Sequence, residues 1–184
     1  MLTPIASAPS ASSAPADGAA MRSLDGPMTW TDVCEDARLR ALPFKIEQDR
    51  YGRLVTSPPF ARHAKRQYRI ARMLDDALGG QPATECPVQT SDGVKVPDVV
   101  WVSDAFEKEH GTDEVYQVAP PICVEVMSPS DVWAEMEEKI TLYLARGAQE
   151  VWICQADGAI RVFAHEGEIE ASRLAPDAPK QIEL

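Results

Sequence analysis

Two carboxylates that lie in apolar strands are the residues best suited to chemistry. Glu125 lies in Ile-Cys-Val-Glu-Val-Met at 122–127, and Asp98 lies in Val-Pro-Asp-Val-Val-Trp at 96–101. A buried carboxylate is strongly unfavourable unless a cation, a lysine or an opening to a cleft compensates it. Two such acids on adjacent strands predict a shared site of hard oxygen ligands, suited to Mg²⁺ or Mn²⁺. The alternative is one structural ion pair for each acid.

Lys139 is the candidate basic partner of these acids. It lies about two turns into the helix that is expected to follow the Glu125 strand. A helix that packs back over the strand can aim this ammonium group at the carboxylates. Glu135 precedes Lys139 by four residues, and an ordinary ion pair on the helix surface accounts for the same spacing.

A long helix predicted from Phe60 to Leu78 separates apolar from basic residues. Its apolar side includes His63, Ile70 and Leu74. Five cations gather within roughly 120° on the opposite side. They are Arg62, Lys65, Arg66, Arg69 and Arg72. This basic face is either a solvated surface or a surface that contacts the phosphates of a nucleic acid.

The total charge argues against tight binding of nucleic acid through bulk electrostatics. The 184 residues include 29 acidic and 18 basic side chains, and the formal net charge is -11. A protein that holds phosphates by bulk charge is normally basic. A nucleic-acid partner would therefore have to meet a local basic face and bound cations.

The order of predicted elements is typical of an α/β or α+β fold, in which helices flank a mixed sheet. The predicted helices span 29–42 with Thr31 as the N-cap, 60–78, and a segment from Ser130 or Asp131 to Arg146. The predicted strands span 44–48, 53–56, 84–90, 94–103, 120–127, 150–155 and 159–165. Ser91-Asp92-Gly93 is predicted to form a hairpin turn, and 107–118 a polar loop.

Several segments resemble the Uma-two family of "putative restriction endonucleases", within the PD-(D/E)XK nuclease superfamily. They are KIEQDRYGRLVTSPPFARH at 45–63, VPDVVWVS at 96–103, PPICVEVMSPSD at 120–131 and EEKITLYLARGAQEVWICQ at 137–155. The resemblance runs from about Met28 nearly to the C-terminus, and it implies a restriction-endonuclease-like mixed sheet flanked by helices.

The resemblance also assigns roles to individual residues. Asp98 matches the metal-binding aspartate of the superfamily, and Glu125 matches the acid of its (D/E)XK element. Met127 stands where that element has its lysine, and the family supplies the lysine from the following helix, where Lys139 is the match. Glu47 matches the acid at the start of the family's sequence.

His63 is a further candidate, because it matches the family's histidine after the pair of prolines. Its position on the apolar side of the helix is equally consistent with a structural histidine in the core.

The activity implied by this resemblance is hydrolysis of phosphodiester bonds in DNA by an endonuclease that depends on Mg²⁺ or Mn²⁺. Asp98 and Glu125 are the expected metal ligands, and Glu47 and Lys139 complete the expected catalytic set. Two alternatives stay open: a catalytically silent nuclease fold that serves as a binding or dimerisation module, and a phosphoesterase that acts on a small substrate. A homodimer is compatible with the superfamily.

Residues 1–27 are rich in Ala, Ser and Pro and are predicted to be a disordered extension ahead of a nuclease-like domain at 28–184. No apolar run approaches the length of a membrane span, and the N-terminus lacks the pattern of a secretory signal. The sequence therefore predicts a cytoplasmic protein without a membrane partner.

Overall fold

A six-stranded mixed sheet with helices on both faces forms the centre of the fold in the computed structural model, which describes residues 26–129 and 131–183. The helices are α1 (Trp30–Glu35), α2 (Ala37–Arg40), α3 (Ala61–Leu78), α4 (Asp104–His110) and α5 (Trp133–Ala145). The strands are β1 (Lys45–Gln48), β2 (Leu54–Ser57), β3 (Gln81–Thr84), β4 (Val88–Thr90), β5 (Gly93–Lys95), β6 (Val99–Val102), β7 (Ile122–Val126), β8 (Glu150–Cys154), β9 (Ile160–Ala164) and β10 (Gly167–Ile169).

The central sheet has the strand order β10-β9-β8-β7-β6-β3. Only β7 and β8 are parallel neighbours in it, and the other pairs are antiparallel. A parallel pair needs a crossover connection, and α5 supplies it here. Every residue of β7 and β8 is buried, as expected for strands that are covered on both faces.

The alternating side chains of β7 divide the core between two helices. Val124 and its neighbours pack on one face with Ile70 and Leu74 of α3. Cys123 packs on the other face with Tyr143 of α5. Glu125 follows the period of two and therefore points to the α5 face. The predicted fold class, a mixed sheet flanked by helices, is confirmed.

Two small hairpins lie outside the central sheet. β1 pairs with β2, and β4 pairs with β5. The two hairpins meet through β1 and β5. Gly93 sits at the point of contact with φ +79°, and a side chain at this position would collide with the backbone of Gln48 and Asp49. The hairpin predicted around Asp92-Gly93 is present at this place.

Several boundaries differ from the predictions. The N-terminal helix begins after Thr29 rather than Thr31, because the Thr29 hydroxyl accepts from Asp32 N in a capping box. It then breaks at Asp36, which starts α2 with its own cap. Helix α5 begins after Val132, which has no side-chain cap, so Asp131 is not its N-cap. The Asp131 carboxylate instead accepts a hydrogen bond from Ser128 N at 2.7 Å. Ser130 lies outside the described residues.

The strand predicted over 94–103 is two strands, because the chain leaves the small hairpin at Val96–Asp98 and joins the central sheet as β6. Pro97 cannot donate to a ladder, which favours the break at this point. The predicted polar loop at 107–118 begins inside α4, which Ser103 caps. The break places Asp98 directly before β6.

The extension predicted for residues 1–27 lies, up to residue 25, outside the described residues. Among the described residues, no helix is long and apolar enough to cross a membrane.

Candidate active site

A cleft of about 610 Å³ opens beside the end of β7. The β1–β2 hairpin, the first turns of α3 and the middle of α5 form its walls. Acidic side chains dominate its charged lining. These acids are Glu47, Asp49, Glu85, Asp92, Asp98, Glu125, Asp131, Glu135 and Glu138. The basic side chains of the lining are Lys45, His63, Lys95 and Lys139.

Asp98 and Glu125 lie side by side because β6 and β7 are antiparallel with Val99 opposite Val124. Their exposed fractions are 2% and 3%. The Asp98 carboxylate also accepts a hydrogen bond from Val126 N at 2.7 Å, which fixes it against the end of β7. The neighbouring strands therefore bring the two predicted acids into one site.

Lys139 bridges two of the predicted acids, Glu47 on β1 and Glu125 on β7. Its Nζ lies 3.0 Å from Glu47 Oε1 and 3.2 Å from Glu125 Oε1. The Glu47 carboxylate also accepts a hydrogen bond from Val96 N at 2.8 Å. One turn further along α5, the Tyr143 hydroxyl donates to Glu125 Oε1 at 2.7 Å. The four predicted residues Glu47, Asp98, Glu125 and Lys139 thus meet at the base of the cleft.

Lys45 is a second lysine in the site, and the sequence analysis did not identify it. Its Nζ lies 2.7 Å from Asp98 Oδ1, 3.9 Å from Glu125 Oε2 and 4.0 Å from Glu47 Oε1. Lys45 and Glu47 are two residues apart on β1 and so share one face of the strand. This spacing is the signal by which the sequence could have revealed it.

His63 faces the site from the first turn of α3. Its Nε2 lies 3.2 Å from Asp98 Oδ1, and a quarter of its side chain is exposed. One turn further on, Gln67 Nε2 donates to the same Asp98 oxygen at 3.3 Å. His63 is therefore a partner of the buried aspartate at the wall of the cleft.

Burial and the two ammonium groups shift the pKa values of the three carboxyls in different directions. Burial raises the pKa of Glu125, and the charges of Lys139 and Lys45 only partly oppose it. Burial acts in the same direction on Asp98, but the charge of Lys45 and the hydrogen bond from His63 hold its pKa well below the usual range. At Glu47, burial also acts to raise the pKa, but the charges of Lys139 and Lys45 outweigh it and lower the pKa.

Both lysines stay charged in this site. Burial acts to lower the pKa of each ammonium group, but the surrounding carboxylates outweigh it and raise the pKa of Lys45 and of Lys139. Burial also acts to lower the pKa of His63, and the hydrogen bond to Asp98 outweighs it and raises that pKa. The site therefore combines three carboxyls whose pKa values are shifted in different directions with two lysines whose pKa values are raised.

The pH dependence of stability should reveal the ionised Asp98. A carboxyl whose folded-state pKa is lowered contributes stability above its unfolded pKa of about 3.9, and that stability is lost as the pH falls through the folded-state pKa. Wild type should therefore lose free energy of unfolding more steeply below about pH 4 than Asp98→Asn does. Urea unfolding from about pH 6 to about pH 3 measures this difference.

The exposed Asp177 provides the matched control, and Asp177→Asn should follow the wild-type curve. Parallel curves for wild type and Asp98→Asn would show that Asp98 does not contribute in this way.

The three acids are engaged with lysines, and among the described residues no group of three or more His, Cys, Asp or Glu side chains is arranged to hold a metal ion. Their donor chemistry nevertheless fits a hard divalent cation, which prefers carboxylate oxygens. Glu125 Oε2 accepts no hydrogen bond from the described part of the chain, and Lys45 Nζ is its ion-pair partner at 3.9 Å. By this donor chemistry, Asp98 and Glu125 are the residues whose carboxylate oxygens could hold Mg²⁺ or Mn²⁺.

One of the five cations predicted on the basic face of α3 is not exposed. Arg66 has an exposed fraction of 3%, and its guanidinium donates to the carbonyls of Gln155 at 3.2 Å and Ala156 at 2.7 Å. Its position is only about 40° around the helix from the buried Ile70, so it borders the apolar side. The assignment of Arg66 to an exposed phosphate-contacting face is therefore wrong.

The other four cations form an exposed patch, here called the α3 basic surface. Its members are Arg62, Lys65, Arg69 and Arg72. Arg69 donates to the backbone carbonyl of Glu183, and Arg72 lies 3.6 Å from Asp76. Ala64 lines both the cleft and the shallow depression beside Arg62 and Lys65, so the α3 basic surface borders the cleft.

A solved structure shares this architecture. It is a protein of Anabaena variabilis ATCC 29413 described as "a putative nuclease belonging to DUF820". The two chains are 16% identical, the TM-score is 0.62, and the match covers 81% of this chain and 92% of that chain. At this identity the likeness establishes the fold. No curated protein matches the sequence.

The family follows from the sequence itself. The profile of the Uma2 family, described as "Putative restriction endonuclease", matches residues 37–183. This match spans most of the chain, and the protein belongs to the Uma2 family. The resemblance described for the Uma-two motifs is thereby confirmed.

Proposed function

We propose that this protein is an endonuclease that hydrolyses phosphodiester bonds in DNA and requires Mg²⁺ or Mn²⁺. The observation that carries the proposal is the meeting of three buried carboxylates and two lysines at the base of an open cleft. Membership of the Uma2 family supports nuclease activity in general. The proposed metal dependence rests on the carboxylates of the site, and the choice of DNA rests on the family's description as restriction endonucleases.

Each residue at the base of the cleft has a role in this proposal. Asp98 and Glu125 would hold the divalent ion, which when bound stabilises negative charge on the phosphate and activates water. Lys139, fixed between Glu47 and Glu125, donates hydrogen bonds to the attacking water or to the phosphate oxygens. Tyr143 holds Glu125 in one orientation through its hydroxyl group.

The α3 basic surface supports a nucleic acid as the partner of the site. Its four cations are concentrated on one helix of a protein with a formal net charge of -11. Because this surface borders the cleft, phosphates that follow it would lead the strand to the three carboxylates. A cytoplasmic location belongs to the same proposal, and the homodimer compatible with the superfamily stays a prediction.

A catalytically silent module is the second candidate, and one observation favours it. Lys45 and Lys139 already compensate most of the charge of the three buried acids, so the site is electrostatically satisfied without a divalent ion. A small-substrate phosphoesterase has no comparable support from the geometry.

Cleavage assays decide among these functions. The protein is incubated with supercoiled plasmid DNA, with single-stranded DNA and with bis-p-nitrophenyl phosphate, each with Mg²⁺, Mn²⁺ or EDTA. We expect nicked or linear plasmid only with a divalent ion, and a Glu125→Gln preparation made in parallel accounts for contaminating nucleases. Hydrolysis of the small ester alone would support the phosphoesterase. Inertness towards all substrates would support the silent module.

A further inference from the structure

The three buried acids converge on the ammonium group of Lys45. Lys45 Nζ lies within 4.0 Å of oxygens from Asp98, Glu125 and Glu47. Lys139 contacts only Glu47 and Glu125. Within the described ranges, no other cationic side chain reaches all three acids. Lys45 Nζ therefore lies between the three carboxylates.

A divalent ion held by Asp98 and Glu125 would lie close to the Lys45 ammonium group. Ligand bonds from carboxylate oxygens to Mg²⁺ are about 2.1 Å long. An ion bound to Asp98 Oδ1 would thus be no further from Lys45 Nζ than one such bond added to the 2.7 Å between this nitrogen and Asp98. Two cations at this separation repel each other strongly where only 14% of the lysine side chain is exposed. The ion and the Lys45 ammonium group would therefore compete for the same two carboxylates.

The surroundings allow Lys45 to leave this position. It lies at the start of β1, in a two-stranded hairpin outside the central sheet, and its side chain lines the cleft. A rotation of the side chain therefore breaks no ladder hydrogen bond of the central sheet. Other acids line the same cleft. They are Asp49, Glu85, Asp131, Glu135 and Glu138.

We propose that Lys45 is the resident cation of the metal-free site and that a divalent ion binds by displacing it. The inference rests on the proposed function in taking Asp98 and Glu125 as the metal ligands. Lys45 holds the three carboxylates together in the absence of metal, and the same contacts weaken metal binding. Lys45 thereby sets the concentration of divalent ion at which the site is loaded.

Titration of Mn²⁺ alone into the full chain tests the proposal, with free Mn²⁺ followed by electron paramagnetic resonance. Lys45→Met should bind Mn²⁺ at least about tenfold more tightly than wild type, because the competing charge is gone. Lys95→Met is the matched control: Lys95 lines the same cleft but pairs with Asp92 at 2.7 Å, and its loss should change the affinity by less than about threefold. Adding Glu125→Gln to Lys45→Met should abolish the tight binding.

The outcomes separate this inference from the proposed function. Equal affinity in wild type and Lys45→Met, or equal tightening in Lys45→Met and Lys95→Met, would overturn the displacement alone. Absence of Mn²⁺ binding in all of these proteins would overturn both the displacement and the proposed metal dependence.

Thermal unfolding provides a readout that is independent of affinity. In EDTA, Lys45→Met should unfold at a lower temperature than wild type, because Asp98 then loses its lysine partner and only Lys139 remains beside Glu47 and Glu125. Saturating Mn²⁺ should raise its unfolding temperature by more than that of wild type. If Lys45→Met does not fold, Lys45→Gln gives the same comparison, and Lys45→Arg should keep the affinity of wild type within about threefold. A smaller Mn²⁺ effect on the neutral variant than on wild type would contradict the proposal.

Discussion

Glu125→Gln is expected to reduce divalent-dependent DNA cleavage by at least about 10²–10³-fold and to leave the protein folded. The amide has the shape of the carboxylate and can still accept the hydrogen bond from Tyr143, so the packing of β7 against α5 is preserved. It removes the negative charge that the proposed ion and Lys139 require. Single-turnover cleavage of plasmid DNA measures the loss, and circular dichroism checks the fold.

Glu135→Gln is the matched control for this prediction. Glu135 lines the same cleft from the same helix but is exposed, and it contacts none of the three buried acids. The same change of charge at this position should leave cleavage within about threefold of wild type. Equal activity of Glu125→Gln and wild type would exclude Glu125 from the reaction.

Glu150→Ala is expected to lower the free energy of unfolding by about 3–5 kcal/mol. Glu150 is 2% exposed and lies at the start of β8, away from the cleft. Its carboxylate accepts four hydrogen bonds, and three of them fasten the C-terminal segment to the sheet. The donors are Trp152 Nε1, Ser172 Oγ, Arg173 N and Leu174 N, at 2.9, 2.7, 2.6 and 3.2 Å. Removing the acceptor leaves buried donors unpaired.

Urea unfolding measures this loss, and Glu170→Ala provides the control. The Glu170 side chain is 96% exposed and lies 3.8 Å from Lys180, so its removal should change stability by less than about 0.5 kcal/mol. A loss below about 1 kcal/mol for Glu150→Ala would mean that the C-terminal segment contributes little to the stability of the domain.

Two acids of the site could be predicted because each is a charged residue within an apolar segment. Asp98 and Glu125 interrupt apolar runs, and only a compensated site makes such positions tolerable. The family's motifs then identified Glu47 and Lys139 as their partners. The structure brings all four together at the base of one cleft.

Lys45 was missed because a lysine near the start of a short strand is typical of exposed surface. Its spacing from Glu47 places both residues on one face of β1, but its burial depends on the β1–β2 hairpin folding over the end of the central sheet, and the spacing does not encode that long-range contact. Arg66 was placed on the exposed basic face because of its charge, but it is buried. The carbonyls that accept its hydrogen bonds lie 89 and 90 residues away in the chain.

The residues of the site lie far apart in the sequence, and this affects when the site can form during synthesis. Lys45 meets Asp98 across 53 residues of sequence, and Glu47 meets Lys139 across 92. Such non-local contacts form only after most of the chain is available. A ribosome-bound chain that has not yet released α5 lacks Lys139 and Tyr143, and so has no complete site. The cluster of three acids and two lysines therefore forms only after α5 has left the ribosome.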